Sequence, residues 1–486
     1  MEFSNQYIFF LISLQFKAGG QKAILAFSLP RNWYRLISIP QTEESRVLRY
    51  IQGFRYITIF FVIWGHTLVG ITLGFNLNPY KVEESFHQIL PHLNLNALSM
   101  VQCFFSISGL LMAFEFAGIV QKQKKFNINY LWMGVIYRYI RLTPVYFFMM
   151  LFDSTWLYKL QNGPGWKRIA ETERHYCRKN MWTNLLYVNN YINVEEGCMP
   201  VTWYLAVDMQ MFIIGLSVMM LIWRFPQIKK TILGICCFTA VTLPGLLTYM
   251  YKFDGIFLLT PEDRRFLNHS EMFVKMYVPV HVNMGNYFFG IATGLYCHYA
   301  RTVKMPGPKM RKFILIGAYL MPILCAFVIT LHYFFYANDF EKPSIWMALM
   351  SILTKNLWSY FCVFCTCAMV LKIEKFFINF LQMKIFQPLG RITYCIFLCH
   401  FDLMRILAAE ARENMTVSSF MVMASVTTVF FFANFLALIL CLCLEFPSTA
   451  LLKMWIKKET AIQKEDENKN IELTQDMNSN TIKNPI

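Results

Sequence analysis

The feature that most constrains this chain is a succession of apolar segments long enough to cross a bilayer. They fall at approximately 51–73, 97–119, 142–160, 202–223, 231–251, 285–300, 313–335, 346–371, 392–410 and 419–445. A helix of about 20 apolar residues covers the roughly 30 Å hydrocarbon layer. Backbone groups find no water there and must bond within their own segment. The sequence therefore predicts an all-α fold, a polytopic transmembrane helix bundle of about ten spans with a short sixth. Composition agrees, since only 15% of the 486 residues are charged, against about 25% in a soluble domain.

Residues 1–45 read as a non-spanning lead-in, cytosolic or lying on the membrane surface. Within it Ile8–Leu14 is apolar but short, and no basic residue precedes it, so it makes a poor signal peptide. Residues 46–450 form the membrane domain. Residues 451–486 are polar, too poor in apolar side chains for a core, and expected to be a disordered cytosolic tail.

The net charge of +16 lies in clusters between spans. Arg46 and Arg49 precede the first span, and Lys122, Lys124 and Lys125 follow the second. Arg224, Lys229 and Lys230 separate the fourth and fifth, and Arg301, Lys304, Lys309, Arg311 and Lys312 follow the sixth. Lys372, Lys375, Lys384 and Arg391 follow the eighth, and Lys453, Lys457 and Lys458 the tenth. With ten spans every cluster falls on one side, which the positive-inside bias makes the cytosol. Both termini are then cytosolic, in a protein integral to an endomembrane or the plasma membrane. No basic stripe with interleaved aromatics is present, so nucleic acid is not an expected partner; membrane lipids are.

The other side carries its own marks. Asn268 and Asn414 each begin an N-glycosylation sequon. Cys177 and Cys198 share the longest inter-span loop, 161–201, where a disulfide is expected in an oxidising compartment. Most other cysteines fall inside apolar runs as small buried hydrophobes. Cys362 and Cys365 have CxxC spacing, but a lipid-embedded helix is a poor place for zinc, and no metal site is expected.

Ionisable residues inside spans are costly, so the few present are candidates for chemistry. Arg55 and His66 lie eleven residues apart in the first span. That separation is about 16 Å of rise and about three turns, which puts both on one face. Arg55 is expected near the cytosolic interface and His66 well inside, where an imidazole suits proton transfer. The plainer reading is a snorkelling Arg and a His satisfied by a neighbouring helix. Ser106, Ser108 and Gly109 in the second span permit close helix approach, or offer hydroxyls to a site. Arg138 and Arg141 share a face at the cytosolic end of the third span. They are interfacial anchors or a clamp for a phosphate-bearing ligand. Asp208 in the fourth span needs a His or Arg partner from another helix. His400 lies within the ninth span, and Glu445 with Pro447 closes the tenth at the cytosolic interface. No Gly-rich phosphate loop, GxSxG or HExxH occurs.

These pieces, in order, resemble the acyltransferase 3 superfamily, in particular its invertebrate nose resistant to fluoxetine branch. The match runs through Gly53–His66, Phe104–Leu111, Arg138–Pro144, Cys198–Gln210, Tyr287–Gly294, Ile392–His400 and Glu445–Pro447. The resemblance implies transfer of an acyl group from a cytosolic donor, commonly acyl-CoA, to an acceptor at or beyond the membrane. It implies His66 as the catalytic His and Arg138 with Arg141 in donor binding. On this reading Ser108 belongs to the donor site. Arg55 and Asp208 supply charge compensation, and His400 is a second polar group beside His66. No bound cofactor is implied; acyl-CoA is a co-substrate. Longer members of the branch carry an N-terminal extracytosolic cysteine-bearing domain that this sequence does not contain. The rival expectation is a transporter or lipid carrier using the same polar residues without covalent chemistry.

Overall fold

The computed structural model describes residues 23–39, 42–89, 96–123, 126–257, 267–337 and 340–455. Ile8–Leu14, Lys124, Lys125, Lys457, Lys458 and the tail from 456 onward lie outside the described residues. A short helix, α1 (Leu29–Ile37), comes first. Ten long helices follow at the ten expected places. They are α2 (Tyr50–Leu73), α3 (Gln102–Lys122), α4 (Asn129–Thr155), α6 (Trp203–Arg224), α7 (Lys229–Tyr251), α8 (Val280–Thr302), α9 (Pro308–Ala337), α10 (Ile345–Val370), α11 (Thr393–Glu410) and α12 (Ser419–Leu440). A helix of 14 residues, α5 (Thr172–Leu185), belongs to the loop between α4 and α6, and among the described residues shorter helices of four to six residues lie elsewhere outside the spans.

Eight of the ten are long and apolar enough to cross a membrane by composition alone. The exceptions, α8 and α11, are interior helices whose polar side chains face neighbours. In α8, buried Asn283 donates to the Tyr277 and Pro279 carbonyls, and buried Asn286 donates to the Lys355 carbonyl, each at 2.9 Å. These amides hid a full-length helix of 23 residues behind the short sixth span expected from sequence. The third span also needs correction. The helix is Asn129–Thr155, not 142–160, so Arg138 lies nine residues inside it rather than at its end.

The core seam joins α3 to α8. A Cβ on Gly290 would lie 2.2 Å from the Ser106 carbonyl oxygen, and one on Gly109 would lie 2.3 Å from that of Tyr287. Only hydrogen fits at either place. The backbones approach closely enough for Ser106 Oγ to donate to the Asn286 carbonyl at 3.0 Å. This is the small-residue packing of membrane helices, where dispersion replaces a hydrophobic drive.

The two ends of the bundle differ as expected. Arg46, Arg49, Arg301, Lys372 and Lys375 line one cleft at the basic end. At the other end, Cys177 and Cys198 form a disulfide. Arg412 donates to Asn162 there, and Met415 pairs with Phe75 and Leu77 just past α2. Asn414 is exposed beside that pairing. Asn268 lies in a turn packed against residues 194–196 of the disulfide loop. Helices α2 and α11 run in the same direction, with Gly70 against Met404 and His66 against His400, as first and ninth spans must.

The loop 161–201 holds an unexpected element. Helix α5 turns back along α4 toward the bundle interior. Arg178 bonds the Ser154 carbonyl, Asn184 the Tyr146 hydroxyl, and Tyr187 meets Thr143, so the contacts descend α4 by eleven residues, about 16 Å. The lead-in also has a fixed place. Asn32 of α1 donates to the Leu442 carbonyl at 3.0 Å, Arg35 to that of Phe446, and Arg391 to the Leu36 carbonyl at 2.7 Å. Trp33 and Tyr34 remain exposed on its outer face, suited to the bilayer interface.

Candidate functional site

Three polar layers occur along α2, α4 and α11. The first is a cavity of about 240 Å³ nearer the basic end, lined by Arg55, Ser108, Arg138, Arg141 and Asp208. Five of the residues singled out in the sequence thus meet in one place. Arg138 forms an ion pair with Asp208, which answers the need of that buried carboxylate for a partner. The Arg138 guanidinium also donates to Ser108 Oγ at 3.1 Å and stacks 4.5 Å from the Phe212 ring centre. Arg141, one turn on, is exposed and points its charge into the same cavity. Arg55 has Arg141, Arg138 and Asp208 among its electrostatic neighbours. It is therefore a wall of an interior cavity, not an interfacial snorkel.

Sequence reasoning placed Glu445 at the cytosolic interface; the structure buries it to 6% exposure on the wall of this cavity. The thiol of Cys395 donates to its carboxylate at 3.2 Å. Glu115, Tyr204, Thr393 and Tyr394 also line the cavity, and none of them was assigned to the site from the sequence. For Glu115 the signal was present, a carboxylate inside an apolar helix.

The second layer is a histidine pair. His400 Nε2 lies 3.0 Å from His66 Nδ1. His400 Nδ1 lies 2.7 Å from the Phe397 carbonyl and 3.2 Å from that of Ile396. A carbonyl only accepts, so Nδ1 of His400 carries its hydrogen. Neutral His400 then has a lone pair on Nε2 and must accept from His66 Nδ1–H. The chain of bonds assigns the lone pair of His66 to its Nε2. The fully buried His400 fixes the tautomer of the half-buried His66, as an orienting partner does for a catalytic imidazole.

The two layers do not share one cavity. The Phe397 ring stands between them, 5.2 Å from the Tyr204 ring on the arginine side and 5.7 Å from the His400 ring on the other.

A third layer, toward the disulfide, was missed altogether. Arg405 bonds Glu173 at 2.7 Å and lies 3.7 Å from Asp402, with Asp153 beside them. All four are buried. Asp402 and Arg405 were legible as an i, i+3 pair in the ninth span, but Glu173 arrives only through the fold-back of α5. Glu173, Cys177 and Cys198 come within ligand distance of one another. The two sulfurs are bonded to each other, which leaves one carboxylate and no ligand set. Cys362 and Cys365 pack within α10 as free thiols.

A family model described as an acyltransferase domain matches residues 48–446. Nose resistant to fluoxetine protein 6 of Caenorhabditis elegans is 27% identical over 474 residues, which is 92% of this chain and 56% of that protein. The chain thus spans about half the length of the curated relative it matches. No solved structure matches it. With ten long helices among the described residues and a matched domain that takes in all three polar layers, the chain belongs to the acyltransferase 3 family of integral membrane proteins.

Proposed function

We propose that the protein transfers an acyl group from a cytosolic thioester donor, acyl-CoA, to a hydroxyl on a lipid, glycan or other acceptor, with His66 as the base. The observation that carries this reading is the tautomer chain through His400, which leaves a lone pair on His66 Nε2. His66 takes the proton of the acceptor hydroxyl while its oxygen attacks the thioester carbonyl. The C–O bond forms, the C–S bond breaks, and the leaving thiolate receives the proton from His66. Arg55, Arg138 and Arg141 suit the phosphates of the donor, since guanidinium forks match phosphate oxygens. Asp208 holds Arg138 in place. The donor's reactive end must then travel about 16 Å from Arg55 to His66, past Phe397.

In this reading the basic end faces the cytosol, both termini are cytosolic, and Asn268 and Asn414 carry glycans. Purified protein incubated with labelled acyl-CoAs is expected to label an acceptor, and His66→Ala is expected to abolish labelling while keeping its thermal transition. Undiminished turnover in His66→Ala would remove the assignment. Substrate flux across a vesicle with no consumption of acyl-CoA would favour a carrier instead.

A further inference from the structure

Lys355 lies ten residues inside α10 and is only 8% exposed. Among the described residues its ammonium has no hydrogen bond and no ion pair; it stands 5.0 Å from the centre of the Tyr277 ring. A cation at this depth costs several kcal/mol unless something compensates it. Lys355 lines a cavity of about 50 Å³ together with Gln102. Gln102 is 4% exposed, and its side-chain oxygen is also buried without a hydrogen-bond partner. A buried cation without an anionic partner and an unpartnered acceptor thus line one small cavity.

That cavity has Asn96, Ile329 and Trp358 as a common wall with a mostly apolar groove of about 360 Å³. Phe61 and Trp64 of α2 and Pro322 and Ala326 of α9 are among its other lining residues. It opens on the outer surface of the bundle, where Phe61 is exposed. The Trp64 indole N–H is buried with no acceptor. Trp64 and His66 are two residues apart, about 200° around the helix, so the groove lies on the face of α2 turned away from the histidine pair.

We propose that the cavity and groove form one site for an anionic phospholipid drawn from the bilayer. Its phosphate accepts from Lys355, its chain lies against α2 and α9, and an ester oxygen accepts from Trp64. Charge decides the class of lipid. The site offers one uncompensated cation, which a net-negative headgroup neutralises, whereas a zwitterionic headgroup brings a second cation into a cavity with no carboxylate on its wall. The groove beside it favours a lipid over a free anion.

The test uses the full chain in nanodiscs of phosphatidylcholine alone or with a minor fraction of phosphatidylglycerol. The measurements are the thermal transition and the lipid that co-elutes after detergent exchange. Wild type is expected to raise its transition with phosphatidylglycerol and to retain that lipid about tenfold over its bulk fraction, the worth of one charge-assisted contact. Lys355→Met should lose the enrichment and Lys355→Arg keep it. Ala326→Phe, at an exposed position on the groove wall, should lose it with the cation intact and without risk to folding. Equal retention by wild type and Lys355→Met, undiminished retention by Ala326→Phe, or equal stabilisation by inorganic phosphate alone would each overturn the proposal.

Discussion

Asp208→Ala isolates the ion pair at the centre of the arginine cavity. The Asp208 side chain is 8% exposed and that of Arg138 is 23% exposed. Removing the carboxylate leaves Arg138 facing Arg55 and Arg141, held only by Ser108 at 3.1 Å and the Phe212 ring at 4.5 Å. Breaking one side of a buried pair costs about 3–5 kcal/mol, and the partial exposure of Arg138 selects the lower end, about 3 kcal/mol. At roughly 2.1 cal/mol/K per residue the full unfolding entropy of such a chain is about 1 kcal/mol/K, so the transition falls by at least about 3 °C. Helices that survive unfolding in detergent lower that entropy and enlarge the shift. The double variant Arg138→Met/Asp208→Met removes both charges, and apolar replacement of a buried pair is often neutral or stabilising. It is therefore expected to melt within about 1 °C of wild type, while each single variant melts lower. The assay is a thermal-unfolding double-mutant cycle in one detergent, with Arg138→Met and Asp208→Met as its singles and Asp208→Ala measured beside them. A transition unchanged in Asp208→Ala, or a double variant that loses the sum of the singles, would refute the claim that the two side chains stabilise each other. Donor binding should be weakened in the double variant despite its restored stability, because Arg138 is gone.

Further outcomes are expected elsewhere. Gly290→Val, with its Cβ only 2.2 Å from the Ser106 carbonyl oxygen, should destabilise the α3–α8 seam by about 3 kcal/mol and reduce the yield of monodisperse protein on gel filtration. Reduction of Cys177–Cys198, a crosslink of sequence separation 21, should cost about 3 kcal/mol, read as a lower thermal transition with dithiothreitol that Cys177→Ser/Cys198→Ser no longer responds to. The Lys179 ammonium, 2.5 Å away, holds the Glu196 carboxyl below its ordinary range. A depressed carboxylate stabilises above its unfolded pKa and loses that effect as pH falls through the folded one. Glu196→Gln should therefore differ slightly from wild type at neutral pH and converge with it below about pH 4, measured as transition temperature against pH. His400→Phe keeps an aromatic ring but removes the acceptor for His66 Nδ1–H; acyl transfer should fall by about 10²-fold or more, measured per folded protein.

Much of the fold was readable because the bilayer imposes a length and a composition on each span. Spans such as α9 and α12 contain the most apolar windows of the chain and could be placed directly. Others were blurred by polar residues whose partners belong to distant segments. Arg138 looked like the end of a helix because its partner, Asp208, is 70 residues away. Asn283 and Asn286 shortened the sixth span on paper because their carbonyl acceptors cannot be seen in a local window. The residues of the site were legible one by one, as ionisable groups in apolar runs. Their grouping was not. The pairing of His66 with His400 crosses 334 positions, and the burial of Glu445 depends on how α12 ends against Cys395 of α11.

The sequence by itself determined an all-helical, two-sided membrane protein, the basic character of one end and the short roster of intramembrane polar residues. Each follows from transfer energies that act residue by residue. Only the tertiary structure decided that those residues divide into an arginine cavity, a histidine pair and an acidic cluster, that α5 folds back along α4, and that Lys355 faces its own cavity. Hydrogen bonds and ion pairs inside a bundle are made between helices, and which helices meet is fixed by the close packing of small residues such as Gly109 and Gly290, a property of pairs that no single segment carries.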